Sequence, residues 1–220
     1  RYWARVMQVN AGMMEAADFH LGRLLTYLRE KGQLDNTIVV VTSDNGPEYN
    51  TLGKTSPPAS LALERLWMKI EGWDVHYDNL GQPGSMAAIG QEWASVSAAP
   101  FHLFKFNASE GGLRVPMLIT GPGVTGQGFV DARSHVTDLA PTLLDAAHVP
   151  FNPAEFSGRS LVPILNAEAL EVYEESDVVA FEVSGAAALY KGNWKITKTP
   201  EPFGDGAWHL FDIELDPSET

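Results

Sequence analysis

"TIVVVTSDNGPEYN", residues 37–50, is the stretch on which the fold reading turns. Thr37 to Thr42 is an unbroken β-branched run, which predicts a strand buried on both faces, as in the parallel sheet of an α/β protein. The run stops at Ser43-Asp44-Asn45-Gly46, and two readings of that stop stand. One is an ordinary turn, in which Asn and Gly tolerate positive φ. The other is a pair of oxygen ligands for a hard cation, Ca²⁺ or Mg²⁺, placed at a strand end where α/β sheets hold their ligands.

Upstream, Val6, Val9, Met13, Ala17, Leu21, Leu24 and Leu28 recur at steps of three and four. This predicts an amphipathic helix over residues 3–30 with one apolar stripe. Gly32 is its expected C-terminal stop, and Leu34-Asp35-Asn36-Thr37 the turn into the strand. Helix, short loop and buried strand together imply an α/β layered domain.

Downstream the pattern loosens. Residues 46–100 form a loop-rich insertion with a short helix after Pro57-Pro58, the kind of long segment that serves function more often than it fills space. "FHLFKFNASEGGLRVPMLITGPG" (101–123) then feeds a polar Gly-Gly loop into a short strand over 116–120, and "HVTDLAPTLLDAAHV" (135–149) predicts a helix with Pro141 in its first turn. After Gly158, "DVVAFEVS", "AALYKGNWKITKT" and "AWHLFDIEL" read as alternating strands, with "YKGNW" as a hairpin turn. Residues 177–215 are therefore expected to form a small antiparallel sheet. The division is 1–158 for the α/β portion and 159–220 for the β subdomain.

Composition narrows the function. The chain has 220 residues, 45% hydrophobic and 20% charged, with a net charge of −13. That balance, with no basic run, argues against non-specific nucleic-acid binding, which needs a basic face. No stretch approaches the roughly 18 apolar residues of a membrane span. There is no cysteine, which excludes disulfides, thiolate metal sites and a Cys-derived nucleophile in this chain. The opening "RYWARVMQVNAGMM" has no initiator Met and no signal-peptide pattern, and reads like an internal stretch.

Lys105, just before "NASEGG", is a candidate to hold an oxyanion together with loop amides; a solvated surface lysine is the other reading. His102, expected one helical turn before it, is a candidate to face the same space. Arg114 reads as a loop anchor to carbonyls or Glu110, and His135 as structural. The six histidines show no H-E-x-x-H spacing, and no nucleophile elbow, phosphate loop or dinucleotide fingerprint occurs. Trp67, Trp73, Trp93, Trp194 and Trp208 are expected in cores.

In order, "GRLLTYLREKGQLDNTIVVVTSDNG", "HYDN", "FHLFKFNASEGGLRVPMLITGPG", "HVTDLAPTLLDAAHV", "GRSLVPIL", "YKGNWKITK" and "WHLFDIELDPSE" resemble the C-terminal half of a type I sulfatase of the bacterial arylsulfatase kind, in the alkaline phosphatase/sulfatase superfamily. The resemblance implies part of a sulfatase sheet flanked by helices, with a small C-terminal antiparallel sheet. It assigns Asp44 and Asn45 to calcium and Lys105 to the substrate sulfate; His102 takes no family role from it. It implies sulfuric ester hydrolysis by a formylglycine nucleophile with Ca²⁺. Phosphonate or phosphate monoester hydrolysis, or a non-catalytic sulfatase-like module, are the alternatives.

The formylglycine motif C/S-x-P-x-R is absent from this chain. In the resemblance it belongs to a preceding half, together with an Asp-Asp calcium pair and the catalytic histidines. The expectation is a fragment, also short of a terminal helix, that binds Ca²⁺ weakly or not at all and hydrolyses no sulfate ester alone. It is expected to self-associate through uncovered apolar surfaces. Its partner is a small-molecule sulfate ester, with no nucleic acid and no membrane, in bacterial cytoplasm or periplasm.

Overall fold

The computed structural model describes residues 1–50, 58–126 and 128–220. Helix α1 runs from Tyr2 to Glu30, within a residue of the periodicity-based bounds. It ends in a double backbone cap, with Gly32 N donating to Arg29 O (3.0 Å) and Gln33 N to Leu28 O (2.9 Å). Gly32 takes φ 64° to close it, the left-handed conformation that glycine adopts without a Cβ penalty.

Strand β1 (Val39–Thr42) pairs with β2 (Met117–Thr120). The pairing is antiparallel, with Val40 opposite Ile119 and Thr42 opposite Met117. This corrects the parallel, doubly buried strand read from the sequence: Val41 is 41% and Leu118 58% exposed. β-branched residues specify an extended backbone, but burial needs layers on both faces, and α1 does not cover them. Its stripe is itself largely bare. Val6 is buried, whereas Met13 and Leu24 are exposed.

Between the strands lie α2 (Pro58–Glu71) and α3 (Gly90–Ala98), so the helix expected after the proline pair exists. Residues 51–57 of the expected insertion lie outside the described residues. Then follow the single turn α4 (Glu110–Leu113), α5 (Leu139–Ala146) and the short α6 (Val162–Leu165).

Asp138 explains why α5 starts where it does. Fully buried, its carboxylate accepts from His135 N (2.6 Å), Arg159 N (2.8 Å) and Tyr173 OH (2.6 Å). His135 caps the same turn through its ring, so its structural reading holds. Burial and the Asp138 carboxylate both push the Tyr173 hydroxyl up, because ionisation would place two negative charges together.

Strands β3 (Val178–Val183), β4 (Ala186–Lys191), β5 (Trp194–Lys198) and β6 (Trp208–Asp212) form an antiparallel meander in that order. The sheet within 177–215 and the "YKGNW" hairpin are as expected. Its inner face packs Ala186, Ala188 and Tyr190 on Ala108, with Leu113 and Phe181 alongside. The outer face is less expected. Trp194 and Trp208 are each 55% exposed, and Trp67 and Trp73 also stand exposed, which corrects their assignment to cores. In β5 the alternation is inverted, with Lys195 and Thr197 inward and Trp194 outward.

Arg159 grips Asp177 through two hydrogen bonds, Nη1 to Oδ2 at 2.6 Å and Nη2 to Oδ1 at 2.7 Å. The guanidinium holds the Asp177 carboxyl below the usual carboxylate range. A depressed folded-state pKa gives stabilisation that is present above the unfolded value of about 4. It is lost as pH falls through the lower folded value. In an NMR titration the Asp177 carboxyl midpoint is expected below that of a free aspartate, and Arg159→Gln is expected to return it towards the ordinary value.

Candidate functional site

Gly46 places the acidic turn. Neither Asn45 nor Gly46 has positive φ, so the turn does not need glycine for conformational freedom. It needs it for proximity. Gly46 N donates to Gly112 O at 3.1 Å, and a Cβ on Gly46 would stand 2.0 Å from Gly111 O. The "DNG" and "EGG" segments thus cross backbone on backbone. The crossing continues one residue on, where Lys105 N donates to Pro47 O at 3.1 Å.

The Lys105 loop is equally constrained. Leu103 and Phe106 take φ 58° and 69°, left-handed conformations that cost energy for side chains of this size. Gly111 N bonds His102 O (2.8 Å), and Asn107 bonds Phe104 O from both its backbone N (3.2 Å) and Nδ2 (3.1 Å). Beneath the loop, Tyr49, Phe104 and Phe203 pack ring on ring at 4.8–5.4 Å. The Lys105 side chain is 28% exposed, with its ammonium 2.9 Å from Glu48 Oε2 and 5.0 Å from the centre of the Phe106 ring.

The structure therefore brings the Asp44–Asn45 turn and Lys105 onto directly bonded backbone segments. The Asp44 carboxylate has no protein hydrogen bond or ion pair among the described residues, and the Asn45 side chain uses only its Nδ2, donating to Gly46 O. Free carboxylate and amide oxygens are the donor types a hard cation takes. In number they fall short: no group of three His, Cys, Asp or Glu able to hold a metal occurs among the described residues.

His102 is placed differently. The helical turn expected between it and Lys105 is absent, and His102 instead lines a cavity of about 200 Å³ with Ser109, Thr197, Phe203, His209 and Phe211. Arg114 keeps its anchoring role, 4.0 Å from Glu110 Oε2 and over the Phe101 ring at 4.8 Å.

Sequence reading missed the ionic cluster that holds the site loop from behind. Lys195, fully buried, lies 2.8 Å from Glu110 Oε1 and 2.7 Å from Glu219 Oε1. The second contact is ionic only, because Glu219 Oε1 has no hydrogen-bond geometry. Glu219 Oε2 accepts Glu110 N (2.8 Å), and Tyr190 OH donates to Glu110 Oε1 (2.5 Å). Burial and the Glu110 carboxylate push the Tyr190 hydroxyl strongly up, keeping it a donor. The signal was a lysine at an inward position of a period-two strand, which composition alone treats as surface.

Comparison with known proteins gives the family. The sulfatase family model matches residues 2–149. An uncharacterized sulfatase of Schizosaccharomyces pombe is 33% identical over 98% of this chain and 39% of its own length. An arylsulfatase of Klebsiella aerogenes is 35% identical over 69% of this chain and 32% of its own. The chain thus spans less than half the length of these relatives. The crystal structure of Ps i-CgsB in complex with k-i-k-neocarrahexaose superposes on 96% of this chain and 37% of that one, with a TM-score of 0.64 at 24% identity, a likeness of fold. The ordered motifs, the family match and the relatives converge: this chain belongs to the sulfatase family.

Proposed function

We propose that this chain carries the calcium and sulfate contacts of a sulfuric ester hydrolase. At the full length of its relatives, such a protein would cleave small-molecule sulfate monoesters with a formylglycine nucleophile. The observation that supports this reading is the backbone docking of the Asp44–Gly46 turn on the Lys105 loop. It sets two oxygen donors and one ammonium on adjoining segments.

Asp44 and Asn45 would supply two of the six to eight oxygens that Ca²⁺ takes. When bound, the ion offsets negative charge on the ester oxygens. Lys105 donates to a sulfate oxygen and stabilises the charge that grows there in the transition state. His102 lies with Phe203 and His209, and it carries no proton-transfer step in this reading. Without Cys or a C/S-x-P-x-R motif, the chain alone holds no formylglycine precursor.

Calorimetry and an aryl sulfate assay test this. The purified chain is expected to show no turnover and Ca²⁺ binding no tighter than about millimolar, the weak end for such sites; micromolar binding or turnover overturns that part. In a protein of the relatives' full length, Lys105→Ala is expected to lower kcat/KM about ten- to hundredfold, less than for a buried oxyanion donor, because Lys105 is partly exposed. Unchanged kcat/KM would remove Lys105 from the site.

A further inference from the structure

We propose that Glu48 is a charge filter on the Lys105 ammonium, one that cancels part of its pull on a second ligand charge and so lowers the affinity of dianionic phosphate monoesters relative to monoanionic sulfate monoesters. The proposal rests on Lys105 being the anion contact, and it names the residue that sets the charge class of the ligand.

The geometry points to Glu48 because its carboxylate is fixed from both oxygens. Oε2 lies 2.9 Å from Lys105 Nζ, and Oε1 accepts the backbone N–H of Asn50 at 3.1 Å. Lys105 is fixed in turn, its own N–H bonded to the carbonyl of the preceding Pro47. Swinging the Glu48 carboxylate away from the ammonium therefore gives up both the ion pair and the bond from Asn50. Among the described residues Lys105 is the one cation within ion-pair reach of Glu48.

The position of the ligand follows from these distances. An oxyanion that accepts from Nζ puts an oxygen about 3 Å from it. That oxygen is then no more than about 6 Å from Glu48 Oε2. A sulfate monoester brings one negative charge to this point. A phosphate monoester above its second pKa of about 6 brings nearly two. Each ligand charge is drawn by Lys105 and pushed by the Glu48 carboxylate, so Glu48 takes away part of what the second charge would gain. The pair is partly exposed, with 28% of the Lys105 and 43% of the Glu48 side chain accessible. Solvent screening therefore limits the repulsion to about a three- to tenfold effect on affinity per ligand charge.

A purely structural tie between two loops would not discriminate ligands by charge. Glu48→Gln keeps the shape and the acceptor for Asn50 N–H and removes only the charge. Glu48→Asp keeps the charge.

The experiment is NMR of the full chain with labelled lysine side chains, following the Lys105 ε-CH₂ signal. Phenyl sulfate and phenyl phosphate are titrated separately at about pH 8, where the phosphate is a dianion, and at fixed ionic strength. In Glu48→Gln the affinity for phenyl phosphate relative to phenyl sulfate is expected to rise about three- to tenfold over the wild-type ratio, and in Glu48→Asp to stay near the wild-type ratio. Lys105→Ala in the Glu48→Gln background is expected to remove binding of both esters. An unchanged preference in Glu48→Gln, with binding still dependent on Lys105, overturns the filter and leaves Lys105 as the anion contact. Binding that survives Lys105→Ala, or no binding of either ester, overturns both.

Discussion

Lys195→Met is expected to destabilise the chain by about 3–5 kcal/mol, the cost of leaving buried charge unpaired. Lys195 has no exposed surface and is the ammonium shared by Glu110 and Glu219, both themselves buried. Methionine fills a similar volume, so the loss reports the charge and not a cavity. Two carboxylates would remain in a dry space, with Arg114 no nearer than 4.0 Å from Glu110 and the Tyr190 hydroxyl as the remaining donor to Glu110 Oε1. Against a typical total stability of about 5–15 kcal/mol, urea denaturation should show the midpoint shifted strongly down. Glu219→Gln, which removes one of the two carboxylate charges and keeps an acceptor for Glu110 N–H, is expected to cost less. A Lys195→Met loss smaller than that of Glu219→Gln would show that the cluster does not share one counter-charge.

Gly46→Ala is expected to cost about 3 kcal/mol, at the top of the range for overpacking. The atoms a Cβ would strike are Gly111 O at 2.0 Å, with Gly111 C and Gly112 Cα at 3.0 Å. All are backbone, so no side chain can rotate to make room. Relief requires moving the 44–48 segment off the 102–113 loop, which breaks the Gly46–Gly112 bond and loosens the Pro47–Lys105 bond beside it. The stability loss should therefore be joined by loss of Lys105-dependent anion binding. A variant that lost stability but kept that binding would show that the crossing positions nothing in the site.

Sequence patterns and tertiary contacts divided the fold between them. Helix α1 was legible to within a residue because a three-to-four apolar repeat fixes one face and Gly32 ends it locally. The hairpins of the C-terminal sheet were legible because turn chemistry acts over a few adjacent residues. Burial was not. The β-branched run from Thr37 to Thr42 specifies an extended backbone, and the same residues serve a buried or a half-bare strand. Trp194 and Trp208 were read inward on apolarity, yet β5 turns Lys195 and Thr197 inward because Glu110 and Glu219 wait there. Glu110 lies 85 residues before Lys195, and a partner that distant leaves no local trace.

For the site, residue types alone carry the donor chemistry: Asp44 and Asn45 offer oxygens, Lys105 offers an ammonium, and no Cys is present. The ordered motifs also carried the family. That the turn and the lysine loop meet, with Gly46 needed for close approach and not for φ, is visible in the folded chain alone. The fold alone set Glu48 on Lys105 and put His102 in a cavity with Ser109 and His209. The physical reason is range: residue type and short spacing govern propensity and chemistry, whereas proximity is set by backbone crossings and buried charges that join segments distant along the chain.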